Sequence, residues 1–291
     1  MSSGNRPSRT FLKLSPLLVP FVALFMGGLF MAVAQSLGFF LPIPYEGGIF
    51  DAYRELFRPH ILASAGHSLW VAAVSSTLAV SIGSIMAYQI WQLPERSGRM
   101  AIIYKIPLTL PHIAVAFIIL VFLSQSGVFA SIAHQLGLVK TVRDFPPLLH
   151  GTGGAGMILA YVFKEVPFVI ILALAVLRRM DPRLVETARM LGAKPTAVFL
   201  RVVIPHMLPA LHTAFIILFL YGFGAFDIPF LLGESSPAML SIETYNLYFR
   251  RDLVNRPTAM AILVCMFLFS AVFIVLYTRI AARISGKDRK L

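Results

Sequence analysis

Two ionisable residues, Lys164 and Glu165, are adjacent within an apolar stretch of this sequence, and Asp227 lies within another. Charged groups are rare in hydrocarbon and are the first candidates for lining the path of a polar solute. Consecutive residues of a helix diverge by about 100°, so Lys164 and Glu165 cannot both face one narrow pore without partners. Two interpretations are open: a polar lining for a translocation path, or a structural ion pair or hydrogen-bonded kink at Pro167.

Residue patterns for catalysis or for binding a cofactor are missing from the sequence. His206 and His212 point in nearly opposite directions on a predicted helix, which makes them poor metal co-ligands. The single cysteine, Cys265, lies in an apolar run, so we expect neither a disulfide framework nor a cysteine metal site. No GxSxG, HExxH, paired-carboxylate or phosphate-cradling G-x4-G-K-[ST] pattern occurs. We therefore expect a chain that is not an enzyme, carries no cofactor and does not itself hydrolyse ATP.

The composition indicates a membrane protein. Hydrophobic residues make up 58% of the 291 positions, charged residues only 13%, and the mean hydropathy is +0.80. A soluble domain has about a quarter charged residues. The pI near 10.2 does not indicate nucleic-acid binding, because the basic residues lie beside apolar runs and are not gathered on a soluble face.

Six segments have the roughly 20 apolar residues that a helix needs to cross a bilayer. We therefore predict an all-α integral membrane protein, with one transmembrane domain over residues 1–291. Pro107 and Pro111 predict a bend near the start of the third helix. The predicted spans are 14–41, 62–93, 102–125, 155–177, 208–232 and 258–282.

The distribution of cations predicts that both termini are cytoplasmic. With that orientation, 17 of the 25 lysines and arginines fall on the inner side, as the positive-inside rule requires. These 17 are Arg6, Arg9, Lys13, Arg96, Arg99, Lys105, Arg178, Arg179, Arg183, Arg189, Lys194, Arg201, Arg279, Arg283, Lys287, Arg289 and Lys290.

The first span also has features of a cleavable signal peptide, because cations precede it and Ala32-Val33-Ala34 imitates a cleavage site. A signal peptide has an apolar region of about 7–15 residues. This one continues from Leu14 past the imitated site, so we expect a retained first helix.

A charged segment at 181–205 separates the fourth and fifth spans. Asp181 and Pro182 predict a capped helix start, and Gly192 predicts its end in a left-handed conformation. Pro195 can open a second short helix that Pro205 stops or kinks. Such a shape suits either an interfacial helix in the lipid headgroups or a protrusion into a groove of another protein. The apolar positions of the first helix are Leu184, Val185, Ala188 and Leu191.

This segment resembles the loop motif in permease subunits of binding-protein-dependent ABC importers. That motif reads E-A-A, three residues, G, nine residues, an aliphatic residue, one residue, then L-P. The chain has Glu186-Thr187-Ala188, Gly192, Val202 and Ile204-Pro205 at this spacing, and departs from the motif at Thr187 and Ile204.

The resemblance extends from His67 onward and is similar to the branch that handles polyamines, aminophosphonates and ferric iron. It implies a type I importer permease in a bacterial inner membrane. It also implies a second, homologous or identical permease, two cytoplasmic ATP-binding subunits and an extracytoplasmic solute-binding protein as partners. The segments that carry it are Pro107-Leu108-Thr109-Leu110-Pro111-His112, Tyr161-Val162-Phe163-Lys164-Glu165-Val166-Pro167-Phe168 and Phe226-Asp227-Ile228-Pro229-Phe230-Leu231-Leu232-Gly233.

By the same resemblance, the 181–205 loop couples the ATPase to the membrane helices. The solute stays open, because the acidic residues suit a polyamine or metal cation whereas Lys164 suits an anion. The alternative is a secondary transporter or channel without an ATPase partner. A membrane-embedded enzyme would need convergent catalytic groups, and a purely structural subunit would not need the ordered loop. The expected coupling residues are Glu186, Thr187, Ala188, Leu191, Gly192, Ala193, Ile204 and Pro205.

Overall fold

The computed structural model describes residues 7–93, 103–149, 151 and 153–287, with side chains described from 14 to 281 within these ranges. All regular secondary structure in those ranges is helical, which confirms the predicted all-α class. Residue 102, where the third span was predicted to start, lies outside the described residues. So do the following cations or their side chains: Arg6, Arg9, Lys13, Arg96, Arg99, Arg283, Lys287, Arg289 and Lys290.

Thirteen α-helices are present in the described residues, joined by short turns of 3-10 and π-helix. The 3-10 turns include 103–105, Val142–Asp144 and Leu253–Asn255, and the π turns are Phe199–Val203 and Asn246–Arg250. The α-helices are α1 (Pro7–Ser36), α2 (Asp51–Glu55), α3 (Pro59–Trp91), α4 (Ile106–Thr109), α5 (His112–Leu123), α6 (Val128–Gln135), α7 (Ala155–Leu177), α8 (Arg183–Met190), α9 (Pro195–Val198), α10 (Ile204–Gly224), α11 (Asp227–Leu232), α12 (Leu240–Tyr245) and α13 (Arg256–Lys287).

Within the described residues, six stretches are long and apolar enough to cross a membrane, which confirms the predicted number. The fourth has the predicted bounds, and the third and fifth differ most from expectation. The six are Leu14–Ser36, Pro59–Trp91, His112–Gln135, Ala155–Leu177, Pro195–Gly224 and Leu253–Ala281.

The third span begins later than the predicted 102–125 because a break precedes it. α4 ends at Thr109, and Leu110 has an extended backbone (φ −79°, ψ 137°). A residue before proline is disfavoured in the helical region, so Pro111 turns the predicted bend into an interruption. The helix then runs from His112 and, after a second interruption at 124–127, ends at Gln135.

The fifth span is displaced toward the loop relative to the predicted 208–232. Pro205 does not stop the helix, because the wider π turn at 199–203 joins α9 to α10 directly ahead of it. Proline is tolerated in the first turn of a helix. At the other end, α10 stops at Gly224, and Ala225 is extended (φ −67°, ψ 146°). Asp227 therefore begins the separate helix α11 and lies outside the continuous span.

The chain forms two compact units. The first comprises the residues up to Pro59 together with Glu243–Phe269. Within it, the Phe25 and Phe267 rings meet edge to face with centroids 6.0 Å apart. The hydroxyl groups of Ser36 and Tyr53 are 2.8 Å apart, so a hydrogen bond ties the end of α1 to α2.

The second unit comprises His60–Ile242 and the residues from Ser270 onward, and α7 is central to its packing. α7 packs against α10, α5, α4 and α11. It also approaches α3 closely, because a Cβ built on Gly83 would lie 2.6 Å from the Cβ of Val169. A small residue such as Gly83 lets two helices approach this closely in lipid. The buried small residues of α3 include Ser68, Ala72, Ser75, Ser76, Ala79 and Ser84.

Candidate functional sites: the 181–205 loop and an intramembrane polar cluster

The start of α8 is fixed by the residues that predict it. The Asp181 Oδ1 atom accepts a hydrogen bond from the Arg183 N–H at 3.0 Å, and the Asp181 carbonyl accepts one from the Leu184 N–H at 3.2 Å. Pro182 has a helical backbone (φ −58°, ψ −27°). Pro182 thus takes the N-cap position, one residue later than predicted, and the Asp181 carboxylate accepts a hydrogen bond from the first N–H group of the helix.

The end of α8 is a Schellman motif centred on Gly192. The Ala193 N–H donates to the Ala188 carbonyl at 3.0 Å, and the Gly192 N–H donates to the Arg189 carbonyl at 2.9 Å. Gly192 has the left-handed conformation that this motif requires (φ +81°). The turn between α8 and α9 is therefore a defined, hydrogen-bonded corner.

One face of this loop is anchored to the second unit. Val185 is buried, at 4% exposure, in an apolar cluster with Val198 of α9 and residues of α7. The Arg189 Nη2 atom donates a hydrogen bond to the side-chain oxygen of Gln92 at 2.8 Å. The Tyr88 and Phe199 rings are 5.3 Å apart. The loop is therefore fixed to the end of α3 by polar and apolar contacts.

The opposite face of the loop is exposed and carries large apolar side chains. Met190 is 88% exposed, and Leu191, one of the apolar positions of the predicted helix, is 82% exposed. A Cβ at Gly192 would meet no atom within 4 Å. The predicted coupling residues thus divide between two faces. Glu186, Thr187, Leu191, Gly192 and Pro205 are exposed, whereas Ala188, Ala193 and Ile204 are half-buried and pack against the apolar cluster.

Lys164, predicted either to line a path or to support the structure, is buried in α7 at 7% exposure. Its Nζ atom donates to the carbonyls of Pro107 at 2.8 Å and Leu108 at 3.1 Å, and also to that of Leu110. The ammonium group has three hydrogens, and each therefore has a backbone acceptor beside the break in the third span.

Glu165 and Asp227 differ in their surroundings. Glu165 is 3% exposed, and neither carboxylate oxygen has a hydrogen-bond partner among the described residues. Asp227 is exposed at the start of α11. Both carboxylates are close enough to the Tyr161 and Tyr221 hydroxyl groups to interact with them electrostatically. Glu165 and Asp227 thus share Tyr161 and Tyr221 as electrostatic neighbours.

Three residues that the sequence did not mark as functional complete this intramembrane polar cluster: His112, Tyr161 and Tyr221. The His112 and Tyr221 rings are 4.9 Å apart, and the Tyr161 and Tyr221 rings are 6.5 Å apart. His112 and Tyr161 belong to two of the segments that carry the family resemblance, and this position could have marked them as candidates. For Tyr221 the sequence contained no such signal, since the stretch of α10 around it, residues 214–224, is otherwise apolar.

Residues 79–286 match the family described as "Binding-protein-dependent transport system inner membrane component". The inner membrane ABC transporter permease protein YdcU of Escherichia coli K12 is 30% identical over 193 residues, which are 62% of this chain and 60% of YdcU. The molybdenum transport system permease protein ModB of Azotobacter vinelandii is 26% identical over 77% of this chain and 95% of ModB. The spermidine/putrescine transport system permease protein PotB of Haemophilus influenzae is 22% identical over 79% of this chain and 78% of PotB.

Solved structures of bacterial ABC transporters share the fold. A chain of a bacterial ABC transporter involved in import of the acidic polysaccharide alginate superposes with a TM-score of 0.77 at 20% identity, over 95% of this chain and 97% of that chain. A chain of the MetNI methionine ABC transporter gives a TM-score of 0.56 at 16% identity, over 77% of this chain and 95% of that chain. The six apolar helices therefore have the type I importer arrangement.

The family match covers well over half of the chain, and six helices are suited to span a bilayer. This chain is a multi-pass bacterial inner-membrane protein, and it belongs to the family of binding-protein-dependent transport system inner membrane components.

Proposed function

We propose that this chain is a permease subunit of an ABC importer driven by two cytoplasmic ATP-binding subunits. A second permease subunit and an extracytoplasmic solute-binding protein complete the assembly. Family membership supports this composition, as does the alginate transporter, whose structure was solved in complex with a periplasmic protein. The observation that carries the proposal is the 181–205 loop, which is anchored on one face and exposes apolar side chains on the other.

In this proposal the exposed face of α8 sits in a groove of the ATP-binding subunit. Met190 and Leu191 supply the apolar contact, which suits the helix-in-groove mode of recognition, and Glu186 lies on the same exposed side. The Schellman motif at Gly192 fixes the angle between α8 and α9. Because contacts to Gln92 and Tyr88 hold the loop on α3, closure of the ATPase dimer moves the loop and the membrane helices together as a rigid body.

The intramembrane polar cluster is the proposed contribution of this chain to the solute path. The hydrogen-bond donors of the Lys164 ammonium group are occupied by backbone carbonyls, so the ionisable groups left to bind a solute are the carboxylates of Glu165 and Asp227. Two carboxylates beside aromatic rings suit an organic cation, since both attract an ammonium group. A small cationic solute such as a polyamine fits this lining, and the similarity to PotB supports it.

Transport by the complete importer in proteoliposomes tests this function. With the binding protein outside and ATP inside, we expect uptake of a labelled polyamine and none of molybdate. Uptake that continues without ATP would contradict the importer and favour a secondary transporter. ATP-driven uptake of molybdate, but not of the polyamine, would contradict only the choice of solute.

A further inference from the structure

The break between α4 and α5 leaves backbone carbonyls without their usual donors. In a continuous helix, the N–H of residue 111 would donate to the carbonyl of Pro107, but Pro111 has no N–H. The Ala114 N–H, which would serve Leu110, donates instead to the Pro111 carbonyl at 3.1 Å. Leaving a backbone polar group without a hydrogen bond in hydrocarbon costs on the order of several kcal/mol. These carbonyls therefore need other donors.

Two side chains donate to backbone carbonyls at the break. Thr109 Oγ1 donates to the Ile106 carbonyl at 2.8 Å. Lys164 Nζ donates to the carbonyls of Pro107, Leu108 and Leu110. One ammonium group therefore replaces the donor that Pro111 lacks and also satisfies the carbonyl that Ala114 leaves.

We propose that Lys164 is a positioning residue that holds the third span in its broken form by substituting for the missing N–H of Pro111. Its charge is compatible with the membrane interior because buried lysines there pair with backbone carbonyls. This role goes beyond the proposed transport function and does not depend on which solute is carried.

The break determines where α5 starts, and it therefore determines the position of His112, the first residue of α5. The ring of His112 lies 4.9 Å from that of Tyr221 on α10, and Tyr221 in turn lies beside Tyr161 of α7. Lys164 acts on the polar cluster through the backbone of 107–111, without facing the solute itself. It thereby couples the position of α7 to the start of α5.

The test is a double-mutant cycle between Lys164 and Pro111 in the full-length chain in nanodiscs, read out by hydrogen exchange of residues 108–115. Lys164→Met should raise exchange in this segment by about tenfold or more, because buried carbonyls lose a charged donor. Lys164→Arg should keep the protection, since it retains donors. Pro111→Ala restores an N–H at 111 and should remove most of the effect of Lys164→Met. Lys140→Met, a change at an exposed lysine, is the control and should leave the segment unchanged.

Unchanged exchange of residues 108–115 in Lys164→Met would overturn the proposal, and altered solute preference in that variant would then mark Lys164 as a path residue. If Lys164→Met does not accumulate in the membrane, the membrane abundance of the double variant Lys164→Met, Pro111→Ala tests the proposal instead. Recovered abundance of the double variant shows that an N–H at residue 111 can replace the Lys164 ammonium group, which supports the proposal. Continued absence of the double variant contradicts it.

Discussion

The side chain of Arg189 in α8 donates a hydrogen bond to the side chain of Gln92, 97 positions earlier, over 2.8 Å. Arg189 lies three residues before the glycine of the loop motif, and Gln92 directly follows the end of α3. The loop is therefore attached to a helix other than the two that it connects. A force applied to α8 is transmitted to α3 as well as to α7 and α10.

The Arg189–Gln92 bond should contribute to transport more than to folding. Arg189→Met and Gln92→Leu should each slow uptake by about two- to fivefold, because a single exposed bond is worth roughly 0.5–1 kcal/mol. The double variant should be no slower than either single variant, since both remove the same interaction. Uptake rates normalised to membrane abundance measure this, and fully additive losses would show that the two residues act separately.

Gly192→Asp should abolish uptake while the protein remains in the membrane. A side chain at position 192 has room within this chain, because a Cβ there meets no atom within 4 Å. A bulky charged group would therefore obstruct the ATP-binding subunit and would not disturb the chain's own core. Left-handed backbone strain is a competing cause. Gly137→Asp is the matched control, because Gly137 also has a positive φ (+73°) and open space. Equal loss of uptake in both variants would assign the effect to strain, and wild-type uptake by Gly192→Asp would refute the contact.

Glu165→Gln and Asp227→Asn should each lower uptake of a cationic solute by about tenfold or more. A carboxylate facing a desolvated cation is worth at least about 1.4 kcal/mol, and the amides keep the shape without the charge. Initial uptake rates, with membrane abundance checked by immunoblot, provide the measurement. Glu46→Gln changes an exposed carboxylate between α1 and α2 and serves as the control. If both cluster variants transport at the wild-type rate, the cluster does not line the path.

The turn at 140–145 should open in acid. Backbone N–H groups of Thr141 and Lys140 donate to the Asp144 carboxylate at 2.7 and 3.1 Å, and these bonds hold the pKa of Asp144 below its ordinary value of 3.8. A lowered pKa means that the stabilisation is present above the unfolded pKa and is lost as the pH falls through the folded pKa. Hydrogen exchange at Thr141 should therefore lose its protection only below about pH 4. Asp144→Asn should lack this transition, and an unchanged acid transition in that variant would assign it to another group.

The loop and the break at Pro111 differ in how far the sequence predicts them. Asp181 and Gly192 fix the ends of α8 through bonds to residues at most five positions away, so local capping patterns were sufficient. The partners of Lys164 lie more than fifty positions earlier, and no local pattern indicates them. The charge alone left both a path lining and a structural role open.

Local sequence patterns did not predict the behaviour of Pro205 and Leu191. Pro205 was predicted to stop or kink a helix, which assumes that the turn before it is α-helical. That turn, at 199–203, is instead a π turn, and the helix continues through Pro205. Leu191 has helical spacing with Ala188, yet Ala188 packs against the apolar cluster and Leu191 is exposed. Hydrophobic spacing identifies an apolar face, but it does not distinguish the protein's own core from a partner's groove.

Co-purification with the ATP-binding subunit in mild detergent tests the central claim that the exposed face of the 181–205 loop docks on that subunit. The wild-type chain should retain the ATP-binding subunit, and the variant with Glu186→Arg and Gly192→Asp should lose it while inserting normally. The Gly137→Asp variant should retain it. Retention of the ATP-binding subunit by the Glu186→Arg, Gly192→Asp variant at the wild-type ratio would contradict the claim.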